Sequence, residues 1–234
     1  MSKAVEKFLK ILKNGPVSQS VFNPWFHRDL ENDGPSRSPE IRRKQLQLYL
    51  EQRINTARFL LIAEAVGYQG GHFSGIAMTS ERILLGHLAH KKIYPSHVFK
   101  NQEPQRTSLP EKWPQGFTEP TATIVWGSLL DIGIDPYQIV LWNAFPWHPF
   151  QPEHSRGMLS NRTPSSEEMI YAQPFLDAFL KLFPNCRLLA VGKKSCSLLN
   201  QLSLDCHSVR HPANGGATQF RTQTLAFLRE HSRP

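Results

Sequence analysis

The sequence feature that most constrains the fold is an apolar run that ends abruptly in a glycine-rich loop. Residues 59–63 (FLLIA) are all apolar, and four glycines follow within the next twelve residues. These glycines are Gly67, Gly70, Gly71 and Gly75. Residues 79–81 (TSE) then provide a helix start signal. Because glycine lets the backbone approach a ligand closely, this order is typical of a binding loop at the carboxyl end of a parallel sheet, although an ordinary long turn has the same pattern.

Apolar strands alternate with helices along the chain, and this alternation predicts the α/β class. Strands are predicted at residues 59–65, 138–143, 187–192 and 206–210. Helices are predicted at residues 2–14, 40–57, 121–132, 165–182, 193–202 and 217–231, and one more from Thr79 or Ser80 to about His90. We therefore expect a three-layer αβα fold with a central four-stranded parallel sheet. The 234 residues are expected to form one domain, 1–234, on which residues 1–58 pack as a helical N-terminal extension.

The charge balance indicates an anionic partner. Lys and Arg total 27 against 19 Asp and Glu, which gives a net charge of +8. Nucleic acid is the leading candidate, although many soluble proteins are basic without binding DNA. The basic residues in and just after the second helix are interpreted as a solvated face or as part of a phosphate-facing edge. They are Arg42, Arg43, Lys44, Arg53 and Arg58.

The sequence contains no pattern of a metal site or a membrane segment. The three cysteines, Cys186, Cys196 and Cys206, lack zinc or cluster spacing and are expected to be free thiols in a reducing cytosol. No apolar run approaches the roughly 20 residues of a membrane-spanning helix, and the N-terminus has no secretory signal pattern. We expect a cytoplasmic protein, associated with the nucleoid if the source is bacterial.

Three predicted strands end in segments with unusual polar chemistry, and in a parallel sheet these segments open on one rim. The first, residues 64–79, offers backbone amides, a carboxylate and side-chain amides. The second places Asn143 at the end of an apolar strand, where a carboxamide pairs with the edge of a planar base or closes the strand by an Asx turn. The third places His211 before Gly215 and Gly216. There an imidazole can donate to a developing oxyanion beside a phosphate-holding loop, or the His-Pro pair only makes a turn.

Together, the three segments resemble the motifs of the uracil-DNA glycosylase superfamily. EAVGYQGGHFSG, residues 64–75, is similar to the first motif, in which a strand ends in a G-E-A-P-G or G-Q-D-P-Y type loop. LWNAFPWHP, residues 141–149, is similar to the strand that ends in the base-reading asparagine. VRHPANGG, residues 209–216, resembles the H-P-S/A motif, whose histidine supports the leaving base. The resemblance covers residues 59–231 and implies a uracil-DNA glycosylase-like fold.

The resemblance implies hydrolysis of the N-glycosidic bond of uracil, or of another damaged base, after base flipping and without a metal or cofactor. Asn143 would read the pyrimidine edge, and His211 would stabilise the charge that builds on uracil O2. Main-chain amides of residues 64–69 would line the pocket and the water site. They include the amides of Ala65, Gly67 and Tyr68.

The resemblance also implies a stacking partner, a second acid or base, and phosphate contacts. Phe73 or Met78 would stack on the flipped base, although Met78 stands where relatives often have phenylalanine. His148 would be a second acid/base candidate near the pocket, or a rim residue. Contacts to DNA phosphates would come from glycines and arginines around the third motif. These are Arg210, Gly215, Gly216 and Arg221.

Departures from the family pattern leave the water-activating group open. Ala65 occupies the position of the water-activating Asp of the G-Q-D-P-Y type, and Val66 that of the proline of the G-E-A-P-G type. Glu64, Gln69 and His72 are the remaining candidates. Glu64 would act as general base, stabilise an oxocarbenium-like sugar or serve as a structural acceptor, whereas Gln69 would only position water. The four-cysteine cluster of the iron–sulfur branch is missing, so no cluster is expected.

Three functions are compatible with these residues. The first is a monofunctional glycosylase that removes uracil from DNA, and the second is a glycosylase for another deaminated or alkylated base. The third is a DNA-binding module that kept the base pocket but lost hydrolysis, which would be consistent with Ala65. In each case the expected partner is DNA containing uracil or another damaged base, and the expected state is a monomer.

Overall fold

The structure, a computed structural model, describes residues 2–16 and 18–231. Its strands are β1 (Val21–Phe22), β2 (Phe59–Ala65), β3 (Ile139–Phe145), β4 (His148–Pro149), β5 (Arg187–Val191) and β6 (Cys206–Val209). Four of these strands form a sheet in the order β3-β2-β5-β6, and every neighbouring pair in it is parallel. The short strands β1 and β4 pair antiparallel beside it.

Helices flank this sheet. They are α1 (Lys3–Ile11), α2 (Ser38–Glu51), α3 (Gly71–Ser74), α4 (Glu81–Leu84), α5 (Pro120–Ile132), α6 (Ser166–Leu180), α7 (Lys193–Gln201) and α8 (Ala217–His231). Helix α6 packs on β3, α7 packs on β5 and β6, and α8 packs on β6 and α5. The predicted αβα fold with a central four-stranded parallel sheet is confirmed.

Strand β3 lies at the edge of the main sheet, yet all of its residues are buried. Helix α2 and the turn after it cover that edge with side-chain hydrogen bonds. The Leu141 N–H donates to the Tyr49 hydroxyl at 2.8 Å, and the Arg53 guanidinium donates to the Ile139 carbonyl at 3.0 Å. An edge strand that is paired in this way offers no template for another chain.

An aromatic stack joins the N-terminal segments to the core of the sheet. The indole of Trp142 on β3 lies between Trp25 and Phe179, with ring centroids 5.8 Å and 4.6 Å away. Phe8 of α1 meets the same indole edge-on at 5.5 Å. Because these aromatic side chains are almost fully buried, the helices before β2 share one hydrophobic core with the sheet.

Two of the basic residues around α2 are neither solvated nor directed towards phosphate. Arg42 forms an ion pair with Asp33 in which both side chains are fully buried, with 2.6 Å between Nη1 and Oδ1. Arg53 is also buried and donates to the carbonyls of Val98 and Ile139. A planar guanidinium can satisfy several buried acceptors at once, so both arginines stabilise the fold.

The predicted helix from Thr79 or Ser80 to about His90 is wrong in its length. Ser80 does cap the helix, but α4 is only Glu81–Leu84. Gly86 then adopts a left-handed conformation with φ of +79°, which ends the helix. The carboxylate of Glu81 instead faces the long connection that follows, where it accepts hydrogen bonds from the backbone N–H groups of Thr107 and Ser108.

Among residues 2–16 and 18–231, no helix has both the length and the apolar character needed to cross a membrane. Within the same described ranges, no group of three or more His, Cys, Asp or Glu side chains could hold a metal ion. The three cysteines are free thiols.

Candidate active site

Parallel pairing brings the first two polar segments next to each other. Ala63 on β2 is in register with Asn143 on β3, and Ala65 is in register with Phe145. Glu64, the residue between them on β2, therefore lies beside the carboxyl end of β3. The glycine-rich loop leaves the sheet at the same place.

Asn143 is buried near the end of β3, which continues to Phe145 and not only to residue 143 as predicted, and its exposed fraction is 2%. Its Oδ1 atom is buried and accepts no hydrogen bond from any residue that the structure describes. An unpaired buried amide oxygen costs about 1–3 kcal/mol of stability. A bound ligand can supply the hydrogen bond that such an atom lacks.

His211 follows β6 and its ring bends back across the end of β5. Gly192, directly after β5, has φ of +93°, and a Cβ atom there would stand 3.2 Å from Cβ of His211. Nδ1 of His211 accepts a hydrogen bond of 3.1 Å from the Ala213 N–H. The neutral ring therefore carries its proton on Nε2, and this N–H can donate to a substrate.

The surroundings of His211 favour the neutral ring. Burial lowers the pKa of His211 below its ordinary value, the Glu64 carboxylate opposes this effect, and the Arg210 guanidinium adds to it. His211 is therefore a neutral donor at pH 7.

Asn143 lies on β3 and His211 follows β6, and these are the two outer strands of the main sheet. Strands β3 and β6 are separated by β2 and β5. Three strand spacings correspond to about 14 Å. Glu64 stands on the intervening strand β2, where its Oε1 pairs with Nζ of Lys194 at 3.2 Å.

A basic cleft of about 450 Å³ lies beside His211, between the ends of β5 and β6 and the start of α8. Lys193 and Arg210 line it, and both side chains are exposed. Gly216 is required here, since a Cβ atom would stand 2.0 Å from the His211 carbonyl oxygen. Gly215 has φ of +76° and Arg221 is exposed on α8. Of the four predicted phosphate contacts, Arg210 lines this cleft, Gly216 packs against Arg210 and His211 of its lining, and Gly215 and Arg221 do not line it.

The glycine-rich loop places its residues around a half-buried surface. Ala65, Gly67, Tyr68 and Gln69 are all half-buried. The Tyr68 N–H donates to Oδ1 of Asn161 at 3.1 Å, and the Tyr68 hydroxyl accepts from Arg156 at 3.1 Å. The loop is thus held by two residues from the segment after β4.

The prediction that Phe73 stacks on a base is contradicted by its packing. Phe73 is fully buried, its ring is stacked on Phe117 with centroids 4.1 Å apart, and His72 lies 4.3 Å away. These neighbours occupy the ring, so no base can lie on it. Met78, the other candidate, is buried and has φ of +47°. A positive φ is uncommon in a residue other than glycine and is concentrated at functional sites.

The prediction that His148 serves as an acid or base, or as a rim residue, is also contradicted. His148 is fully buried, its Nε2 donates to the Ser160 carbonyl at 2.8 Å, and its Nδ1 lies 2.9 Å from Nδ1 of His72. Nε2 of His72 in turn lies 3.0 Å from Oδ2 of Asp29. Burial and the neighbouring His72 lower the pKa of His148 to about 3, so it stays neutral. His72 is engaged at both nitrogens and is no longer available as a water-activating group.

Replacing His148 with alanine is expected to lower the free energy of unfolding by about 1–3 kcal/mol, because it leaves buried polar groups of His72 and Ser160 unpaired. Urea denaturation measures the effect. His87→Ala is the matched control, since His87 is exposed. Equal stability of the two variants would mean that the buried hydrogen-bond chain contributes nothing to the fold.

Four residues of this region were not identified from the sequence. Gly192 and Lys194 follow β5, for which no polar segment was assigned, and Asn161 lies in the loop after β4. Glu119 precedes α5, and its carboxyl group lies against the glycine-rich loop. None of the four belongs to a motif, so only the folded arrangement reveals them.

Comparison with known proteins supports the fold. No protein-family model matches this sequence, and no curated protein is similar enough in sequence to count as a match. The chain is similar to the crystal structure of wild-type SMUG2 from Pedobacter heparinus, a uracil-DNA glycosylase family member, with a TM-score of 0.64. The similarity covers 99% of each chain at 12% sequence identity. At that identity the likeness concerns the fold, and the predicted uracil-DNA glycosylase-like fold is confirmed.

Proposed function

We propose that the chain is a monofunctional DNA glycosylase that hydrolyses the N-glycosidic bond of uracil, or of a related deaminated base, in DNA. The observation that carries the proposal is the buried carboxamide of Asn143, whose Oδ1 lacks a partner among the described residues. The edge of uracil presents an N3–H donor beside the O4 acceptor, and a carboxamide complements both. The fold shared with SMUG2 supports the same class of activity.

In this proposal, the flipped uracil lies between Asn143 and His211. As the bond from C1′ to N1 breaks, its electron pair moves onto the base and negative charge builds on O2. The Nε2–H of the neutral His211 donates to that oxygen. A donor aimed at developing charge in a site without water contributes a factor of about 100–1,000 to the rate.

The sugar becomes positively charged in the same step, and a nearby carboxylate stabilises it. Glu64 has this role in the proposal. Lys194 donates a hydrogen bond to Glu64 and a second one to Thr163. The amides of Ala65, Gly67 and Tyr68 line the pocket, and Gln69 holds the attacking water. Their part in the reaction rests on their position in the loop directly after β2.

Met78 is proposed to cover one face of the base. It is the remaining candidate after Phe73, and its strained backbone sits in the segment that leads into α4. An apolar contact with the face of a base does not distinguish one base from another, so Asn143 rather than Met78 would decide which base is removed.

DNA phosphates are proposed to bind at the basic cleft beside His211. The protein is proposed to act as a monomer. Arg210 supplies positive charge, and Gly215 and Gly216 allow the backbone to approach the phosphates. Arg221 projects from the same end of α8. Binding of this kind weakens steeply with salt, because each neutralised phosphate releases counterions.

Replacing Arg221 with alanine is expected to weaken binding to all DNA sequences and to lower the slope of log affinity against log salt by about 1. Fluorescence anisotropy at several salt concentrations measures both quantities. Arg229→Ala is the matched control, because Arg229 is exposed near the other end of the same helix. Equal slopes for the two variants would place the DNA elsewhere.

The function is tested with an oligonucleotide that carries a single uracil. Base release followed by alkaline treatment gives strand breaks, and the proposal expects these breaks with the wild-type protein. Untreated DNA should stay intact, because a monofunctional enzyme leaves an abasic site uncut. Oligonucleotides with other deaminated or alkylated bases, run in parallel, identify the preferred base.

The second candidate function is a DNA-binding module without hydrolysis, and one observation favours it. Ala65 removes the carboxylate that the G-Q-D-P-Y type motif places at the end of this strand. Tight binding to uracil-containing DNA without base release would support the binding module and contradict the glycosylase. An affinity for DNA that does not change with salt concentration would contradict both functions.

A further inference from the structure

Glu119 directly precedes Pro120, the first residue of α5, at the position where a side chain usually caps a helix. It makes no capping hydrogen bond to that helix. Its carboxyl group turns instead towards the glycine-rich loop after β2. A Cβ atom added at Gly70 would stand 2.0 Å from Oε2 of Glu119 and 2.7 Å from its Cδ. Position 70 therefore has no room for a side chain, because the Glu119 carboxyl group occupies that space.

The backbone just before Glu119 is held firmly against the same loop. The ring of Phe117 is stacked on Phe73 at 4.1 Å between centroids and meets the ring of Tyr68 at 6.4 Å. The Tyr68 side of the loop is tied in addition by Asn161. Above Gly67, atoms of Asn161 and Oε1 of Glu119 lie within 3.7–4.0 Å of the point where a Cβ atom would be. The carboxyl group thus borders the space above the loop that follows β2.

Nothing among the described residues satisfies this carboxyl group fully. Oε2 of Glu119 is buried and has no hydrogen-bond partner there. Burial raises the pKa of Glu119 to about 7, so the group exchanges its proton near neutral pH. A buried, unpaired acid destabilises a fold, and such groups are concentrated at functional sites.

The other candidates of the loop differ from Glu119 in their side-chain chemistry or in their contacts. Ala65 has no ionisable side chain, and the amide of Gln69 does not accept a proton in this pH range. Glu64 is held by the Lys194 ammonium group. Glu119 is the carboxyl group that lies against the loop and has an unpaired buried oxygen.

We propose that Glu119 is the general base that activates the attacking water, an inference that rests on the proposed glycosylase function. Water forms the new bond to C1′ while one of its protons passes to the Glu119 carboxylate. The bond from C1′ to the base breaks, and its electron pair leaves with the base, where His211 stabilises the charge. The departing base, or solvent, then takes the proton from Glu119, so the reaction needs no other reactant.

The test compares Glu119→Gln with the wild-type protein in single-turnover base release from about pH 5.5 to about pH 9. The wild-type rate should rise with pH and level off above about 7, because only the carboxylate accepts a proton. Glu119→Gln should be slower by a factor of about 100 or more at the plateau and should lose this pH dependence. Its affinity for uracil-containing DNA should be unchanged.

Two control variants separate Glu119 from the other acidic residues. Glu111→Gln removes an exposed carboxylate and should leave the rate and its pH dependence unchanged. Glu64→Gln should be slower, but its rate should still rise with pH and level off above about 7. If Glu119→Gln does not fold, ¹³C NMR titration of the glutamate carboxyl carbons in the wild-type protein gives the same answer. One carboxyl carbon must then titrate together with the rate.

Each outcome decides the proposal. If the rate of Glu119→Gln still rises with pH and levels off above about 7, or is unchanged, the role of Glu119 is overturned while the glycosylase function stands. If this pH dependence is lost in Glu64→Gln instead, Glu64 is the general base. No glutamate carboxyl carbon titrating with the rate also overturns the proposal. Absence of base release by the wild-type protein from every damaged oligonucleotide contradicts the glycosylase function itself, and the role of Glu119 with it.

Discussion

Replacing Asn143 with alanine is expected to slow base release from uracil-containing DNA by a factor of about 100–1,000. The variant loses the donor and the acceptor that pair with the base edge, while the rest of the pocket stays. Single-turnover kinetics at saturating protein measures the loss. The thermal melting temperature should not fall, because the Asn143 oxygen has no partner among the described residues that would be left unpaired.

Asn200→Ala is the matched control, since Asn200 is exposed on α7. It should retain the full rate. A slow Asn143→Ala protein that is also less stable would indicate a structural asparagine, as in an Asx turn. A rate equal to that of the control would show that the carboxamide does not take part in base recognition.

Replacing His211 with alanine is expected to cost a similar factor of about 100–1,000 in the rate of base release. The reason is the loss of the Nε2–H donor opposite the developing charge on the base. Because burial lowers the pKa of His211 below its ordinary value, the ring is neutral at pH 7. The rate of His211→Ala should therefore be lower than the wild-type rate by the same factor at every pH in the neutral range, and its pH dependence there should be unchanged.

His90→Ala is the control for this variant, because His90 is exposed. ¹⁵N NMR of the wild-type protein provides a second check. Nδ1 of His211 should be unprotonated and Nε2 protonated at neutral pH, as the hydrogen bond from Ala213 requires. A doubly protonated ring at neutral pH would contradict this account of the donor.

Much of the fold follows from local patterns. β2 and α8 occur at the predicted residues, because an apolar run bounded by turn residues and a continuous helical segment leave little choice. α6 begins where it was predicted to begin, and Ser165 and Glu168 form a capping box there. The short pair of β1 and β4 was not predicted, since two-residue strands carry no periodicity.

The site was predicted only where chemistry coincides with a strand end. Glu64 and Asn143 lie near the carboxyl ends of β2 and β3, and His211 lies just after β6; a parallel sheet brings such positions to one rim. Phe73 and His148 lie in the same segments, yet their rings are covered by Phe117 and His72. Which face of a loop residue is covered depends on distant segments that local sequence does not specify.

The buried ionic groups show the same limit. Arg42 looked like a surface residue because charge is usually solvated, but Asp33 and backbone carbonyls satisfy it inside the protein. Glu119 was not identified from the sequence, and its buried Oε2 atom lies against Gly70. The free-energy cost of burying such a group is known from its residue type, but whether a partner compensates for that cost depends on the fold.

Co-crystallisation with uracil tests the central claim most directly, namely that three distant segments form a cavity for one nucleobase. The account predicts uracil at the carboxyl end of the main sheet, with its N3–H and O4 at the Asn143 carboxamide. The Nε2 atom of His211 should lie within hydrogen-bond distance of O2. Uracil bound elsewhere, with the Asn143 and His211 side chains not facing a common ligand, would contradict it.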